Sequence, residues 1–338
     1  MKAEGKTHIK HRRLGKKSVF RFLLLPSACF LLPWGTAQAQ EYPAKNIQMV
    51  VPYTAGGSAD LFSRVVARRL GEAWGRTVIV DNRPGASGMI GTEMVTKAAP
   101  DGYVLLGHTS SYPATASVRA KLPFDPARSI VPVAMIARAP MLIAVHPSVP
   151  AKNVKELIAV AKRTKGGLNY GSSGAGGNNH FATSLFAAAA GIEMTHIPYK
   201  GISLAVTALA SGEIEVLVSS QAALAPQIQG NRVRILAVTS AKPSALYPGL
   251  PPAAAGGAPG YSYELWWGMF APAGMAADRL AFINAAINKI LADEEMRKLI
   301  AREGAEPWPL DPKQLDGLLV REIERYRKAA QIAGIKPL

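Results

Sequence analysis

The sequence predicts a two-lobed α/β fold, and three features of its pattern support that prediction. Two β-α-β alternations follow one another, at 47–109 and 168–220, and each is typical of a mostly parallel sheet covered by helices. No low-complexity linker divides them. After the last strand only helices remain, so we expect the chain to return to the first sheet. The second lobe is then an insertion, with two strands crossing between the lobes and a cleft between them.

The first alternation supplies most of the first lobe. Apolar runs rich in β-branched residues predict strands at 47–53, 77–82 and 103–109. Apolar residues at helical spacing predict helices at 60–75 and 88–100. Asp60 is the expected N-cap of the first helix and Gly75 its C-cap. The stretch 110–129 contains three prolines and is expected to be irregular.

The second alternation supplies the inserted lobe, and the chain then returns to the first. One or two strands are expected within 131–147, followed by a helix capped by Asn153. Further strands are predicted at 168–171, 194–199, 214–220, 233–239 and 263–272, and helices at 179–190, 203–210, 276–291, 293–303 and 312–333. The expected domains are 1–39 as a signal peptide, 40–143 plus 265–338 as lobe 1, and 144–264 as lobe 2.

Residues 1–39 are typical of an export signal. A basic stretch that ends at Arg21 precedes the apolar run 22–33, and an Ala-Gln-Ala cleavage pattern closes at Ala39. The apolar run is shorter than the roughly 20 residues that a membrane span needs. We therefore expect cleavage after Ala39 and a periplasmic mature protein.

Composition and charge limit the classes of partner. Of the 338 residues, 49% are hydrophobic and 18% charged, which is enough for a packed core. The formal charge is +16, of which residues 1–39 carry +7 from eight Lys and Arg against one Glu. For an exported protein, the remaining +9 suits an anionic small molecule better than nucleic acid.

Each alternation contains a glycine-rich turn between its first strand and its first helix. Loop 1 is VPYTAGGSAD (51–60), and loop 2 is NYGSSGAGGNNH (169–180). Glycines let the backbone approach a ligand and aim its N–H groups at it, and the following helix N-terminus adds about half a positive charge. Ligands of open α/β sheets bind beyond the carboxyl ends of the strands. The two loops are therefore expected to clamp an anion from both sides of the cleft.

Loop 2 fits none of the common nucleotide or hydrolase motifs. No lysine follows its glycines, as a P-loop requires. Gly174-Ala-Gly176 leads to Asn179 where a dinucleotide fingerprint needs glycine, and Gly171–Ala175 lacks the last glycine of a hydrolase elbow. We therefore expect no catalysis. An exported α/β hydrolase that acts on an anionic ester remains the alternative.

No metal or cofactor site is predicted either. The single cysteine, Cys29, lies within the signal peptide, so the mature chain has no disulfide and no cysteine ligand. The four histidines of the mature chain show no metal-ligand spacing, at positions 108, 146, 180 and 196.

Six motifs together resemble, in order and spacing, the Bug-type (TctC-like) solute receptors of tripartite tricarboxylate transporters. They are VPYTAGGSAD, DNRPGASGMIGTEMVTKAAPDGY, YGSSGAGGNNH, HIPYKG, ALASGEIEVL and WWGMFAPAGM, and they extend from about residue 42 to the C-terminus. The resemblance implies a two-lobed periplasmic binding protein, similar to the type II class, that closes on a small organic carboxylate and delivers it to a membrane permease. It implies neither catalysis nor a cofactor. A receptor that reports the same ligand to a membrane sensor kinase is an alternative partner assignment.

The resemblance also implies which residues bind the ligand. Both loops would grip a carboxylate through backbone N–H groups, hydroxyls and bound water. The implied residues in loop 1 are Tyr53, Ala55, Gly56, Gly57, Ser58 and Asp60. Those in loop 2 are Ser172, Ser173, Gly174, Gly176, Gly177, Asn178, Asn179 and His180. Tyr199 and Ser219 complete the set; Ser219 stands where the family often has Asp, which favours a carboxylate without an amino group.

Overall fold

The computed structural model of the chain describes residues 42–337, so the predicted signal peptide lies outside the described residues. Strands and helices alternate along most of this range, as the sequence predicts. The strands are β1 (Ile47–Val51), β2 (Val78–Asn82), β3 (Val104–Thr109), β4 (Ile130–Pro140), β5 (Leu142–Val145), β6 (Leu168–Ser172), β7 (Met194–Pro198), β8 (Val216–Ser219), β9 (Arg234–Val238), β10 (Glu264–Pro272) and β11 (Glu306–Pro307). The helices are α1 (Ser58–Trp74), α2 (Met89–Thr96), α3 (Ser111–Val118), α4 (Val154–Arg163), α5 (Asn178–Ala190), α6 (Ile202–Ser211), α7 (Gln221–Gln229), α8 (Ala277–Ala292), α9 (Glu294–Arg302), α10 (Pro312–Leu315) and α11 (Leu318–Ile332).

The strands form two sheets, one in each lobe. The first has the order β11-β4-β10-β3-β1-β2 and the second the order β7-β6-β8-β5-β9. Most strands in each sheet share one direction, but both sheets are mixed rather than simply parallel. β10 and β11 oppose the rest of the first sheet, and β5 opposes the rest of the second. β5 and β10 run in the opposite direction because each enters its sheet from the other lobe, at the edge where the strands of the β-α-β units end.

Two connections join the sheets, as the sequence predicts. β4 continues into β5 with only Met141 between them, and the chain returns from β9 to β10. The Met141 N–H donates to Oγ1 of Thr239 at 2.7 Å, and the Thr239 N–H donates to the Met141 carbonyl at 2.9 Å. The Thr239 hydroxyl in turn donates to the carbonyl of Tyr263 at 2.6 Å. The two crossing segments are therefore held side by side.

Both faces of the first sheet are buried. Met49 and Leu105 pack on the face covered by α1, whereas their neighbours Val50 and Leu106 pack on the opposite face, beneath α2. A strand buried on both faces reads as a continuous apolar run, which explains why these strands could be predicted from short stretches of sequence.

Two helices occur where none was expected. α3 occupies part of the stretch predicted to be irregular, and Pro113 lies in its first turn, where a residue without an N–H is tolerated. α7 follows β8 directly; Ser220 caps it by accepting the N–H of Ala223, although Pro226 lies inside the helix.

Two predicted helix boundaries were wrong. The last helix is interrupted at Gly317, whose φ of 64° lies in the left-handed region, so α10 and α11 replace one long helix. α1 begins at Ser58, with Gly57 rather than Asp60 at the N-cap. By contrast, Asn153 caps α4 as predicted, accepting the N–H of Glu156 at 2.9 Å. No helix within residues 42–337 is long and apolar enough to cross a membrane.

Candidate functional site

Loop 1 carries the chain from β1 into α1 with an exposed backbone. Ala55, Gly56 and Gly57 are all exposed, and Gly56 has a φ of 87°, which favours glycine. Gly57 occupies the N-cap of α1 without any side-chain cap. Because the first N–H groups of a helix have no acceptor within the helix, this turn presents free donors at the start of α1.

The buried carboxylate of Asp60 holds loop 1 in place through hydrogen bonds. Asp60 lies in the first turn of α1, only 4% exposed, and its carboxylate accepts three hydrogen bonds. The donors are the N–H of Gly56 at 3.0 Å, Nε of Arg64 at 2.9 Å and Nδ2 of Asn82 at 2.9 Å. Burial by itself would raise the pKa of Asp60, but the three donors lower it below its usual value. The carboxylate is thus fully engaged in holding the loop.

Two further side chains of loop 1 are fixed by the strands beside it. The hydroxyl of Ser58 accepts a hydrogen bond from Nε1 of Trp267, on β10, at 3.1 Å. The hydroxyl of Tyr53 lies 2.9 Å from Nδ1 of His108 and 3.0 Å from Oγ1 of Thr109, and it also bonds Oγ of Ser111. Burial raises the pKa of Tyr53 to about 12, so its hydroxyl stays protonated.

Loop 2 has the same construction in the second lobe. It leads from β6 into α5, and Gly177 occupies the N-cap of α5, again without a side-chain cap. The backbone angles of the two N-caps nearly coincide: φ and ψ are −84° and 168° at Gly57, and −85° and 172° at Gly177. Gly174 and Gly176 have φ values of 133° and 74°, which the tight turn requires.

The two serines of loop 2 occupy different environments. Ser172 is fully buried; its Oγ accepts the N–H of Gly174 at 3.1 Å and lies 2.6 Å from Nε2 of His196. Ser173 is exposed, and its hydroxyl donates to Oδ1 of Asn179 at 3.0 Å. Of the two hydroxyls, only that of Ser173 faces outward from the loop.

A stacked pair of imidazoles lies beneath loop 2. The rings of His180 and His196 are 3.9 Å apart and nearly parallel, at 6°, with Tyr170 stacked on His196. Nδ1 of His180 accepts the N–H of Gly176 at 3.0 Å. Burial, and secondly the neighbouring His196, lower the pKa of His180 to about 4; burial also lowers the pKa of His196. Both rings are therefore neutral at pH 7, and Nδ1 of His180 is free to accept the N–H of loop 2.

The two asparagines at the start of α5 point inward. Oδ1 of Asn178 accepts from the hydroxyl of Ser110 at 3.2 Å and from that of Tyr263 at 2.8 Å. Nδ2 of Asn179 donates to the carbonyl of Val218 at 2.8 Å. These side chains fix the position of loop 2.

The structure brings the two loops to a common neighbour. The first turns after β3 contact both: Thr109 and Ser111 bond Tyr53 of loop 1, and Ser110 bonds Asn178 of loop 2. From α3, Thr115 also reaches the carbonyl of Gly176 at 3.4 Å. The carboxyl ends of β1, β3 and β6 thus converge at one place.

The remaining two predicted residues lie at the edge of this arrangement. The hydroxyl of Tyr199 donates to a carboxylate oxygen of Glu213 at 2.8 Å, and its N–H donates to the carbonyl of Ser172 at 3.0 Å. Ser219 is 1% exposed, at the end of β8, and pairs in register with Leu142 at the crossing between the lobes.

Several residues of this arrangement were not predicted from sequence. They are His108, Thr109, Ser110, Ser111, His196, Tyr263 and Trp267. The available signal was positional: a run of hydroxyl residues follows β3 just as loops 1 and 2 follow β1 and β6.

A serine–histidine pair exists here, but its environment does not suit a nucleophile. The Ser172 hydroxyl is wholly buried and already accepts the Gly174 N–H. Among the described residues, no carboxylate bonds the other ring nitrogen of His196, as a catalytic triad requires. Within residues 42–337 no cluster of three His, Cys, Asp or Glu side chains is placed to hold a metal ion.

Comparison with known proteins identifies the family. Residues 62–335 match the model of the tripartite tricarboxylate transporter family receptor, TctC. The chain belongs to this family of solute-binding receptors. It is 33% identical over 300 residues to BugT of Bordetella pertussis (strain Tohama I), covering 88% of this chain and 92% of BugT. Receptors of this family act in the periplasm and are not enzymes, which confirms the expected class and removes the hydrolase alternative.

Solved structures confirm the fold. R. palustris Rpa4515, solved with adipate, is 34% identical, with a TM-score of 0.82, over 88% of this chain and 100% of that one. The periplasmic binding protein BugD is 28% identical, with a TM-score of 0.78, over 87% of this chain and 99% of that one. A sensor kinase as an alternative partner stays a prediction.

Proposed function

We propose that this receptor captures a small organic carboxylate between loops 1 and 2 and delivers it to the membrane permease of a tripartite tricarboxylate-type system. The observation that supports it most is the duplicated helix start. α1 and α5 both begin at a glycine N-cap with matching backbone angles and no side-chain cap. A carboxylate at this point would accept N–H groups that otherwise lack partners, at two positive helix ends.

The proposed roles divide the predicted residues into two groups. The hydroxyls and the N–H groups without a partner would contact the ligand, from Ala55, Gly57, Ser58 and Ser173 and from the first turns of α1 and α5. The N–H groups of Gly56, Gly174, Gly176 and Gly177 are already donated within the loops, so these glycines would shape the turns. The buried side chains would hold the loops in shape, through Tyr53, Asp60, Ser172, Asn178, Asn179 and His180. Tyr199 and Ser219 would line the edge of the site. Bonds between a carboxylate and such donors are worth about 1.5–3 kcal/mol each.

The charges of the two loops favour an acid without an amino group. Asp60 is the only acidic residue in either loop, and Arg64 and two other donors already occupy it. Ser219 is neutral where an acid would be needed to hold an ammonium group. The adipate bound by R. palustris Rpa4515, a relative at 34% identity, is an amine-free dicarboxylate. We therefore favour amine-free mono- and dicarboxylates for this chain.

A thermal-shift panel tests the ligand class. The purified mature protein is heated with adipate, succinate, citrate, benzoate, aspartate and glutamate, and adipamide serves as the uncharged control for adipate. At about 100 times its dissociation constant, a true ligand adds about 2.7 kcal/mol of stability. We expect at least one amine-free carboxylate to give this shift and adipamide to give none. Stabilisation by the amino acids alone would contradict the proposal.

Export and delivery have separate tests. We propose cleavage after Ala39, so the periplasmic protein should begin at Gln40 by mass spectrometry. We also propose the lobe division 40–143 plus 265–338 and 144–264. The membership of the two sheets supports it apart from the boundary residues, because 142–143 belong to β5 in the second sheet and Glu264 belongs to β10 in the first. For delivery, deletion of the gene should abolish uptake of the carboxylate found in the panel. Unchanged uptake in the deletion strain would contradict a transport role.

A further inference from the structure

The polar segment Thr109–Ser111, directly after β3, contacts both loops at once. The hydroxyl of Thr109 lies 3.0 Å from the hydroxyl of Tyr53, and the hydroxyl of Ser111 bonds the same Tyr53 hydroxyl. The hydroxyl of Ser110 donates to Oδ1 of Asn178, the first residue of α5, at 3.2 Å. Loop 1 and loop 2 are thus joined through three consecutive residues.

The middle residue of this segment is held firmly. Ser110 is 0% exposed, its N–H donates to the carbonyl of Trp266 at 3.0 Å, and its Oγ accepts the Trp266 N–H at 3.4 Å. Tyr263 donates to the same Oδ1 of Asn178 at 2.8 Å and accepts from Tyr326 of the C-terminal helix at 3.0 Å. Buried hydrogen bonds in such a series depend on one another, because no water is present to take the place of an acceptor that a donor has lost.

We propose that Thr109–Ser111 is a positioning element that couples the two loops, so that ordering one loop orders the other. The coupling rests on the proposed function and extends it. Whichever loop contacts the carboxylate first would order the other loop before that loop contacts the ligand. The segment acts through Tyr53 and Asn178, not through contact with the ligand. A displacement of loop 1 moves the Tyr53 hydroxyl, this moves the segment, and Ser110 passes the movement to the start of α5.

Amide hydrogen exchange in the ligand-free protein tests the coupling without any need for a known ligand. Tyr53→Phe removes the link on the loop 1 side, and Ser110→Ala removes it on the loop 2 side. Each variant is expected to speed exchange about fivefold in both loops, the change in local opening that one hydrogen bond of ordinary strength produces. Ser111→Ala, at a half-buried residue that bonds the same Tyr53 hydroxyl, cuts the loop 1 side a second way and should also speed exchange in both loops, so the coupling is tested even if Ser110→Ala folds poorly.

Two matched substitutions serve as controls. Tyr103→Phe removes a hydroxyl that accepts the N–H of Ala44 at 2.8 Å, away from both loops. Ser117→Ala removes a hydroxyl that donates to the carbonyl of Ala114 at 2.7 Å within α3. Neither control should change exchange in the loops.

The decisive comparison is the double variant. If the segment transmits the effect, Tyr53→Phe adds nothing to exchange in loop 2 once Ser110→Ala is present, because the link is already cut. The proposal is overturned if Tyr53→Phe changes only loop 1 and Ser110→Ala only loop 2, or if their effects on loop 2 simply add. These results do not depend on whether any carboxylate binds, so they are independent of the test of the proposed function.

Discussion

Asp60 is the residue for which the structure changes the expected role most, and Asp60→Asn tests that role. The carboxylate holds Gly56, Arg64 and Asn82 through bonds of 2.9–3.0 Å while only 4% exposed. An asparagine of nearly the same shape keeps one acceptor oxygen but turns the other into an amide donor. If that donor takes the place of Oδ2, the N–H of Gly56 and Nε of Arg64 both lose their acceptor.

The expected cost follows from those two bonds. The N–H of Gly56 is exposed, but its acceptor is a buried carboxylate, and a hydrogen bond to a charged group is worth about 1.5–3 kcal/mol. The bond to Arg64 adds little, because its side chain is 50% exposed and water screens the pair. We therefore expect Asp60→Asn to lower the free energy of unfolding by about 2–3 kcal/mol at pH 7. Because the pKa of Asp60 is lowered in the folded state, this contribution is present above about pH 4 and is lost as the pH falls further.

Urea unfolding of both proteins at pH 7 measures this difference. Asp278→Asn is the matched control, since Asp278 also lies in the first turn of a helix but is exposed and bonds only the neighbouring N–H of Arg279. The control should stay within about 0.5 kcal/mol of the parent protein. If Asp60→Asn lowers the free energy of unfolding no more than the control does, the carboxylate does not support the loop. If Asp60→Asn weakens binding of one ligand class selectively, Asp60 contacts the ligand after all.

The glycine loops could be predicted from sequence because their signal is local. Glycines next to a helix start identify a turn with free N–H groups, and both turns were found in this way. The roles of Asp60 and Ser172 could not be predicted, since a buried hydroxyl or carboxylate within a loop has the same local sequence as an exposed one. Their partners, such as Asn82 and His196, are 22 and 24 residues away.

The element connecting the loops was missed for a related reason. Thr109–Ser111 shows no periodicity, and its value lies in contacts with Tyr53 and Asn178, up to 68 residues distant. The position of β10 between β3 and β4 is likewise set by pairing across more than 120 residues, which no local pattern encodes. What could have been noticed is that the segment follows a parallel strand at the same edge as both loops.

Three further predictions follow from individual contacts. Gly88→Ala should cost about 2–4 kcal/mol of stability in thermal unfolding, because φ is 92° and the added Cβ would lie 2.9 Å from Nε2 of His108. Gly75→Ala is the control: φ is 62° with open space around it, so it should cost about 1 kcal/mol. Stability should fall between about pH 6.5 and pH 4, because burial lowers the pKa of His108 to about 3 and of His180 to about 4, so the unfolded chain takes up protons first. Each histidine should contribute about 2 kcal/mol of that loss at pH 5, and urea unfolding of His180→Gln should show a flatter profile. Ser173→Ala should weaken carboxylate binding several-fold in calorimetry and cost about 1 kcal/mol of stability, because its hydroxyl also donates to the buried Asn179. Unchanged affinity would remove this hydroxyl from the site.

The most direct test of the account is an NMR titration of labelled protein with the tightest carboxylate from the thermal-shift panel. The amides of Gly56 and Gly57 in one loop, and of Gly174 and Gly177 in the other, report on each lobe separately. We expect signals from both loops to shift and to saturate at the same ligand concentration, since one molecule would be held by both helix starts. Shifts confined to a single loop, or to neither, would contradict a carboxylate shared between the two lobes.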